Sequence, residues 1–379
     1  MKSKKKRDRQ ADLEKDRMLA PEKIKKKKRK KRKKILIAVL CEAAILIAVI
    51  LTAFQIVRAV GKSSLQSKAE AAPELMPVQA QAALTEEEQS KWQEGWVKYQ
   101  DTIYAYKEDI LTFLIMGIDK NSDVKEEAEG TSGGQADALF LAVMDPGEKT
   151  IKVIGINRNT MTDIDVYNEE GAYLTTVSAQ IAVQHGFGNG MEESCERQLK
   201  AVRKLFYNLP IHGYAAINMS AIPTINDAVG GVQVTVLEDL TQRDQSLVEG
   251  ESVHLEGESA FWYVKYRDTN VFGSADKRLE RQKQYLTEFI GAAKSAMKKN
   301  PAAAVNLYQA VSGQMVTNVS IDEVAYLAPL LAEYKFQSDS FYMPEGETVM
   351  GDQFEEFYVD EDALYEMILD VFYEEVKDE

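Results

Sequence analysis

Residues 35–54, ILIAVLCEAAILIAVILTAF, constrain this chain more than any other stretch. An apolar run of this kind matches the roughly 20 helical residues needed to cross a hydrocarbon core ~30 Å thick. It follows KIKKKKRKKRKK directly. Lysine and arginine in a short flank stay on the cytoplasmic side, so we expect one transmembrane helix over 35–58, in a cell membrane. The N-terminus is then cytoplasmic and everything beyond it extracytoplasmic. A cleaved leader has a shorter apolar core followed by a small-residue site. This run has neither, which favours a retained anchor. Glu42 interrupts the span about two turns from its cytoplasmic end, where an ionisable group in a membrane helix costs least.

Charge divides at the same point. Residues 1–34 hold 19 Lys+Arg and 5 Asp+Glu, a net of +14; of the whole-chain 46 and 60, that leaves 27 and 55, a net of −28, for residues 35–379. Beside a cytoplasmic membrane surface, the basic head reads as a topology signal attracted to the lipid bilayer, with no nucleic acid as partner. Cys41 and Cys195 fall in the span and beyond it, so they do not pair. The outer region is held by its core and not by disulfides.

Residues 59–84, rich in Ala, Gln, Ser, Pro and Glu, predict a linker. After Thr85, a helix-start residue, Trp92, Trp96, Tyr99, Ile103 and Tyr106 recur at spacings of three and four and predict an accessory helix over 85–109. Short apolar runs follow: ILTFLIMGID (110–119), DALFLAVMD (137–145) and TIKVIGIN (150–157), the last two joined by a turn at PGEK. MEESCERQLKAVRKLFYNL (191–209) and ADKRLERQKQYLTEFIGAAKSAMKK (275–299) are amphipathic helices. Elements mixed in this order predict an α/β domain of αβα type over 110–300, a central mixed sheet flanked by helices. Residues 301–379 predict a C-terminal extension packed on it, with helices near 321–334 and 361–376.

Arginine is scarce outside the predicted span. Residues 61–379 contain seven, against nineteen lysines, and three of the seven fall within YVKYRDTNVFGSADKRLERQ, 263–282. On a helix, Arg278, Arg281 and Gln282 share one face. An acidic domain that still concentrates planar, permanently charged forks is built to hold a phosphate or carboxylate. Arg158 ends its strand between two amides, Asn157 and Asn159. Asp119 closes the first strand and Asp137 opens the second, positions where a sheet presents side chains to a crevice. Two carboxylates facing guanidiniums suit a Mg²⁺-bridged pyrophosphate. GFGNG (186–190) lacks the setting of a dinucleotide fingerprint and reads as a loop near the site. His185, His212 and His254 pair with no nucleophile in the sequence pattern.

Taken in order, LIMGID, GQADALFLAV, IKVIGINRNTMTDI, HGFGNG, INDAVGGV, YVKYRD and KRLERQKQYL resemble the LytR-CpsA-Psr family of bacterial cell-envelope proteins, over about residues 110–290. An anchor followed by an outer domain is also that family's layout. The resemblance implies a domain that buries a polyprenyl chain between sheet and helices. It implies a phosphotransferase that uses Mg²⁺ (or Mn²⁺) to move a glycopolymer, of teichoic acid or capsule type, from polyprenyl pyrophosphate to peptidoglycan. Carried over by residue, Asp119 and Asp137 hold the metal, and Asp119, Asp137, Arg158 and Arg267 are catalytic. Arg158, Lys265, Arg267, Arg278, Arg281 and Gln282 bind the pyrophosphate.

Three departures stand out. Gln135 replaces an arginine two residues before Asp137, Asn157-Arg158-Asn159 replaces Pro-Arg-Asp, and Lys265 replaces the first of two spaced arginines. Two readings stay open: an active transferase, or a non-catalytic polyprenyl-pyrophosphate-binding scaffold or regulator of the envelope.

Overall fold

The computed structural model describes residue 52, residues 55–65, 67 and 68, and residues 84–377 apart from 129, 131 and 301. The basic head and nearly all of the apolar run lie outside the described residues; among those described, no helix is long and apolar enough to cross a membrane.

Helix α1 (Glu86–Lys91) leads into strands β1 (Trp96–Tyr99) and β2 (Thr102–Tyr106), then β3 (Leu111–Ile118), β4 (Ala136–Asp145), β5 (Thr150–Ile156), β6 (Met161–Tyr167) and β7 (Tyr173–Gln180). A 3-10 turn (Ile181–Gly186) precedes α2 (Glu192–Leu205), β8 (Gly213–Asn218), α3 (Ile222–Ala228), β9 (Val232–Thr235), β10 (Ser252–Leu255), α4 (Glu258–Lys265) and α5 (Ser274–Lys299). The chain ends through α6 (Ala303–Val311), β11 (Met315–Thr317), α7 (Ile321–Glu333), β12 (Phe341–Tyr342), β13 (Gly346–Met350), β14 (Glu355–Val359), α8 (Glu361–Phe372) and β15 (Tyr373–Glu375).

The central sheet is six-stranded and mixed, in the order β11-β8-β3-β4-β5-β12. Strands β3, β4 and β5 form an antiparallel meander, while β8 joins β3 and β12 joins β5 in parallel. Side chains alternate between the faces of a strand, and these strands are apolar on both. Leu114, Met116, Leu139, Leu141 and Ile154 pack with Cys195 and Val202 of α2 and with Leu364, Ile368 and Phe372 of α8. On the opposite face Phe113, Phe140, Met144 and Val153 pack with Leu279 of α5, Leu327 of α7 and Phe341. Helices therefore cover both sides of a mixed sheet, as the αβα pattern predicts. A smaller core beneath β9 and β10 joins Val234, Leu247 and Leu255 to Tyr263 of α4 and Tyr285 of α5.

Three segments differ from expectation. The accessory helix over 85–109 is helical only to Lys91; Gly95 turns at φ 81° and residues 96–106 form a hairpin, Trp96 opposite Ala105, closed at Gln100 with φ 53°. Its β-branched and aromatic residues suit a strand as well as a helix face, and β15 supplies the third strand that settles it. The C-terminal extension does not merely pack on the domain, because β11 and β12 are the two edge strands of the central sheet. The start of the expected linker is also held in place. Leu65 is fully buried, and Ser64 and Lys68 bond Glu323 at 2.7 and 3.0 Å; at Gly61 any side chain would meet the Asp322 carbonyl.

Candidate active site

Strands β3, β4 and β5 end or begin side by side, and their terminal residues make one charged cluster. The Asp119 amide donates to the Gln135 carbonyl at 3.0 Å, tying the end of β3 to the approach of β4. Leu139 pairs with Ile156 across β4 and β5, and that register continued two residues sets Asp137 opposite Arg158. Arg158 donates through Nη1 to Asp137 Oδ1 and through Nη2 to the Gln135 side-chain oxygen. Gln135 thus engages Arg158 directly, filling with an amide the place where the resemblance led us to expect a cation.

Helix α5 adds the next guanidinium. Arg278 donates to Asp137 Oδ2 at 3.2 Å and to the Asp137 carbonyl at 3.1 Å. Asp137 is a buried carboxylate held between two guanidiniums, with Arg278 itself 4% exposed. Burial pulls Arg278 down to about 10, with Asp137 opposing; Arg158 is likewise lowered by burial, with Asp137 and Asp119 opposing and Arg267 adding to the fall. Both remain cations at neutral pH. Arg267, partly exposed after α4, thus acts electrostatically on both Arg158 and Arg278. Lys265, the last residue of α4, pairs with Asp119 Oδ1 at 3.1 Å and donates to Asn121 at 3.0 Å. The Asp119 side chain is 49% exposed.

Two expected phosphate ligands are employed elsewhere. Arg281, 1% exposed, donates through Nε to the Tyr263 carbonyl at 3.0 Å and through Nη2 to that of Tyr266, with Nη1 against Glu238. Gln282 donates to the Val264 carbonyl at 3.0 Å. The last carbonyls of a helix lack intrahelical partners, and these two residues of α5 satisfy them at the end of α4. In this structure they support the turn that carries Lys265 and Arg267, away from the cluster at Asp137. The shared helix face was real, but Arg278 sits one turn earlier and reaches the sheet.

The glycine-rich loop backs the cluster. Gly133 donates to the Gly186 carbonyl at 3.2 Å and His185 Nδ1 lies 3.0 Å from the Gly134 carbonyl, so the loop packs against the segment that enters β4. Gly133 allows this closeness, since a Cβ there would stand 2.3 Å from the His185 carbonyl. Cys195 Sγ lies 3.8 Å from His185 Nε2, a contact with no sequence signature. Burial pushes the thiol up and holds the imidazole at about 4, so neither is ionised at neutral pH and the pair is a packed core contact. Asp227 accepts from the Gly257 amide at 2.8 Å, a structural cap.

Sequence reasoning overlooked Asp276, Glu355 and Gln180, which bind the two asparagines beside Arg158. Asp276 was visible as an acidic residue in the first turn of a helix, although that pattern alone means only a favourable helix dipole. Glu355 left no local signal.

The model of the LytR_cpsA_psr family matches residues 75–368. The polyisoprenyl-teichoic acid–peptidoglycan teichoic acid transferase TagU of Bacillus cereus is 26% identical over 218 residues, 58% of this chain and 63% of its own length. TagU of Halalkalibacterium halodurans is 26% identical over 215 residues, 57% and 63% respectively. The matched region thus spans less than two thirds of these curated relatives. Among solved structures, B. subtilis TagV superposes with a TM-score of 0.54 at 22% identity, covering 69% of this chain and 95% of that one. TagT bound to LI-WTA gives 0.52 at 20%, covering 69% and 89%. At these identities the structures establish a shared fold.

Proposed function

Because this chain belongs to the LytR_cpsA_psr family, we propose that it is a membrane-anchored phosphotransferase. It moves a glycopolymer of teichoic acid or capsule type from polyprenyl pyrophosphate to peptidoglycan on the outer face of the cell membrane. The observation that carries this reading is the Arg158–Asp137–Arg278 cluster, with Arg267 beside it and Asp119 half exposed at its rim. The names of the TagU relatives point to the same class of substrate.

Asp137 preorganises the two guanidiniums before substrate arrives, so little reorganisation is needed when charge develops. Arg158 and Arg267 take the pyrophosphate oxygens, and Arg278 holds the Asp137 carboxylate in place from α5. As the acceptor hydroxyl attacks the glycopolymer-side phosphorus, the bond to the bridging oxygen breaks, and the polyprenyl phosphate leaves and takes up the hydroxyl proton. The guanidiniums neutralise the charge on that oxygen, the type of positioning and electrostatic help on which phosphoryl transfer depends. The resemblance would seat the polyprenyl tail between the sheet and helices α5 and α7, where Phe113, Phe140 and Leu279 pack against one another in this structure, so the layer must part to admit it.

Mg²⁺ or Mn²⁺ suits this oxygen-donor site. Both Asp137 oxygens are bonded to arginines, so Asp119 would be the principal protein ligand in this reading. The bound ion would supply Lewis acidity toward the phosphoryl oxygens. That same engagement of Asp137 favours the second reading, a polyprenyl-pyrophosphate-binding scaffold that transfers nothing.

Incubation of the detergent-solubilised full chain with lipid-linked saccharide, peptidoglycan and Mg²⁺ separates the two. Transfer that requires Mg²⁺ and falls at least about a hundredfold in Arg158→Ala, on the scale of losing one charge-stabilising donor, supports the enzyme. Lipid binding that is equal with and without Mg²⁺, and no transfer, supports the scaffold.

A further inference from the structure

The asparagines on either side of Arg158 are matched to two carboxylates that come from far along the chain. Asn157 Nδ2 donates to Asp276 Oδ1 at 2.6 Å, while its oxygen accepts from the Asn159 amide at 2.8 Å. Asn159 Nδ2 donates to Glu355 Oε2 at 3.3 Å, and Asn159 Oδ1 accepts from Gln180 Nε2 at 3.2 Å. Each carboxylate holds a second donor. Glu355 Oε1 accepts from the Gly273 amide at 2.7 Å, just before α5, and Asp276 Oδ2 accepts from Thr348 Oγ1 at 3.1 Å. Asn159 is 2% exposed, so water does not substitute for a lost partner.

We propose that Glu355 is a positioning residue for Arg158, and that Asn159 is an asparagine because Glu355 faces it. The resemblance leads one to expect a carboxylate at 159; in this chain the carboxylate is supplied from the C-terminal hairpin, and an amide must stand opposite. Aspartate in place of the buried Asn159 sets two carboxylates against each other, and the repulsion with the lost hydrogen bond drives them apart. Asn159 adjoins Arg158 in the chain, so that movement displaces the guanidinium from Asp137 and from the pyrophosphate. A functional group must be held to within about 0.5 Å by such supporting contacts. The inference rests on the pyrophosphate-transfer reading.

Exchanging the partners tests it. When Asn159→Asp is combined with Glu355→Gln, the introduced carboxylate accepts from the introduced amide and still accepts from Gln180. The oxygen of that amide still accepts from Gly273. The full chain, wild-type and in three variants, is assayed for transfer and for binding of geranylgeranyl pyrophosphate. The temperature is one at which circular dichroism shows every variant folded, so loss of global stability alone leaves the readings unmoved. Expected are falls of about tenfold or more in kcat/KM and in affinity for Asn159→Asp, the scale of one hydrogen bond to a charged group. Glu355→Gln is reduced as well, because two amide donors then meet. The double variant returns to within about threefold of wild type.

A double variant no better than Asn159→Asp, or an Asn159→Asp chain equal to wild type, overturns the inference. Wild type that binds the probe without transferring overturns the transfer reading alone, since the binding arm still decides the exchange. Wild type that neither binds nor transfers overturns both.

Discussion

Arg278 and Arg281 lie less than one turn apart on α5, enough to aim the first at Asp137 and the second at the carbonyls of Tyr263 and Tyr266. In Arg281→Met those carbonyls and Glu238 lose a buried cationic partner. The expected loss is about 2–4 kcal/mol of stability, read as a lower urea midpoint. Lysine does not rescue it, because one ammonium cannot replace a fork that serves three groups. His185 gives a residue-level pH dependence. Its folded value, about 4, lies below the ordinary 6.5, because burial disfavours the imidazolium. Between those values the unfolded chain binds the proton more readily, so stability is full above about 6.5 and falls as pH drops toward about 4. In His185→Gln this part of the slope disappears from denaturation curves collected across that range. The arginines were legible in the sequence because they are rare and clustered. Which of them joins the cluster at Asp137 was not, because that depends on partners brought close only by folding.

Strands β6 and β7 form a two-stranded ribbon outside the central sheet, with β7 exposed over most of its length. Asp165 of β6 ties it to α2, pairing with Lys200 at 2.8 Å and Lys204 at 3.3 Å and accepting from Thr176 at 2.8 Å. Burial acts against its carboxylate, yet these partners outweigh burial and hold it at about 2. A depressed value means stability that is present above the unfolded value of 3.8 and is lost as pH falls through about 2. Asp165→Asn should lower Tm by roughly 2–4 °C at pH 7, with the difference vanishing near pH 2 in calorimetry. At this scale the strands of the central meander were readable from short apolar runs and turn chemistry. The hairpin at 96–106 was not. Its apolar residues recur at helical spacing, and its deciding neighbour, Tyr373–Glu375, lies close to the far end of the chain.

As a whole, Val60–Glu379 is one compact unit whose first and last segments complete it. Leu65 enters the apolar layer beneath α7, and α8 puts Ile368, Val371 and Phe372, each 0% exposed, into the core on the other face. A chain ending at residue 300 loses β11, β12, β15 and α8 together. It should show no cooperative unfolding transition and should bind a dye for exposed apolar surface, checked by circular dichroism and fluorescence. The sequence by itself determined the charge reversal along the chain, the apolar run, the short apolar strands and the long arginine-bearing helix, because each is written in neighbouring residues as a run, a period, a flank or a count. Only the tertiary structure decided that Asp137 is held between Arg158 and Arg278, that Arg281 and Gln282 cap a helix, and that Glu355 meets Asn159. Donors and acceptors 15 to 196 positions apart have no shared period to reveal them; the closed sheet and its helices bring them together.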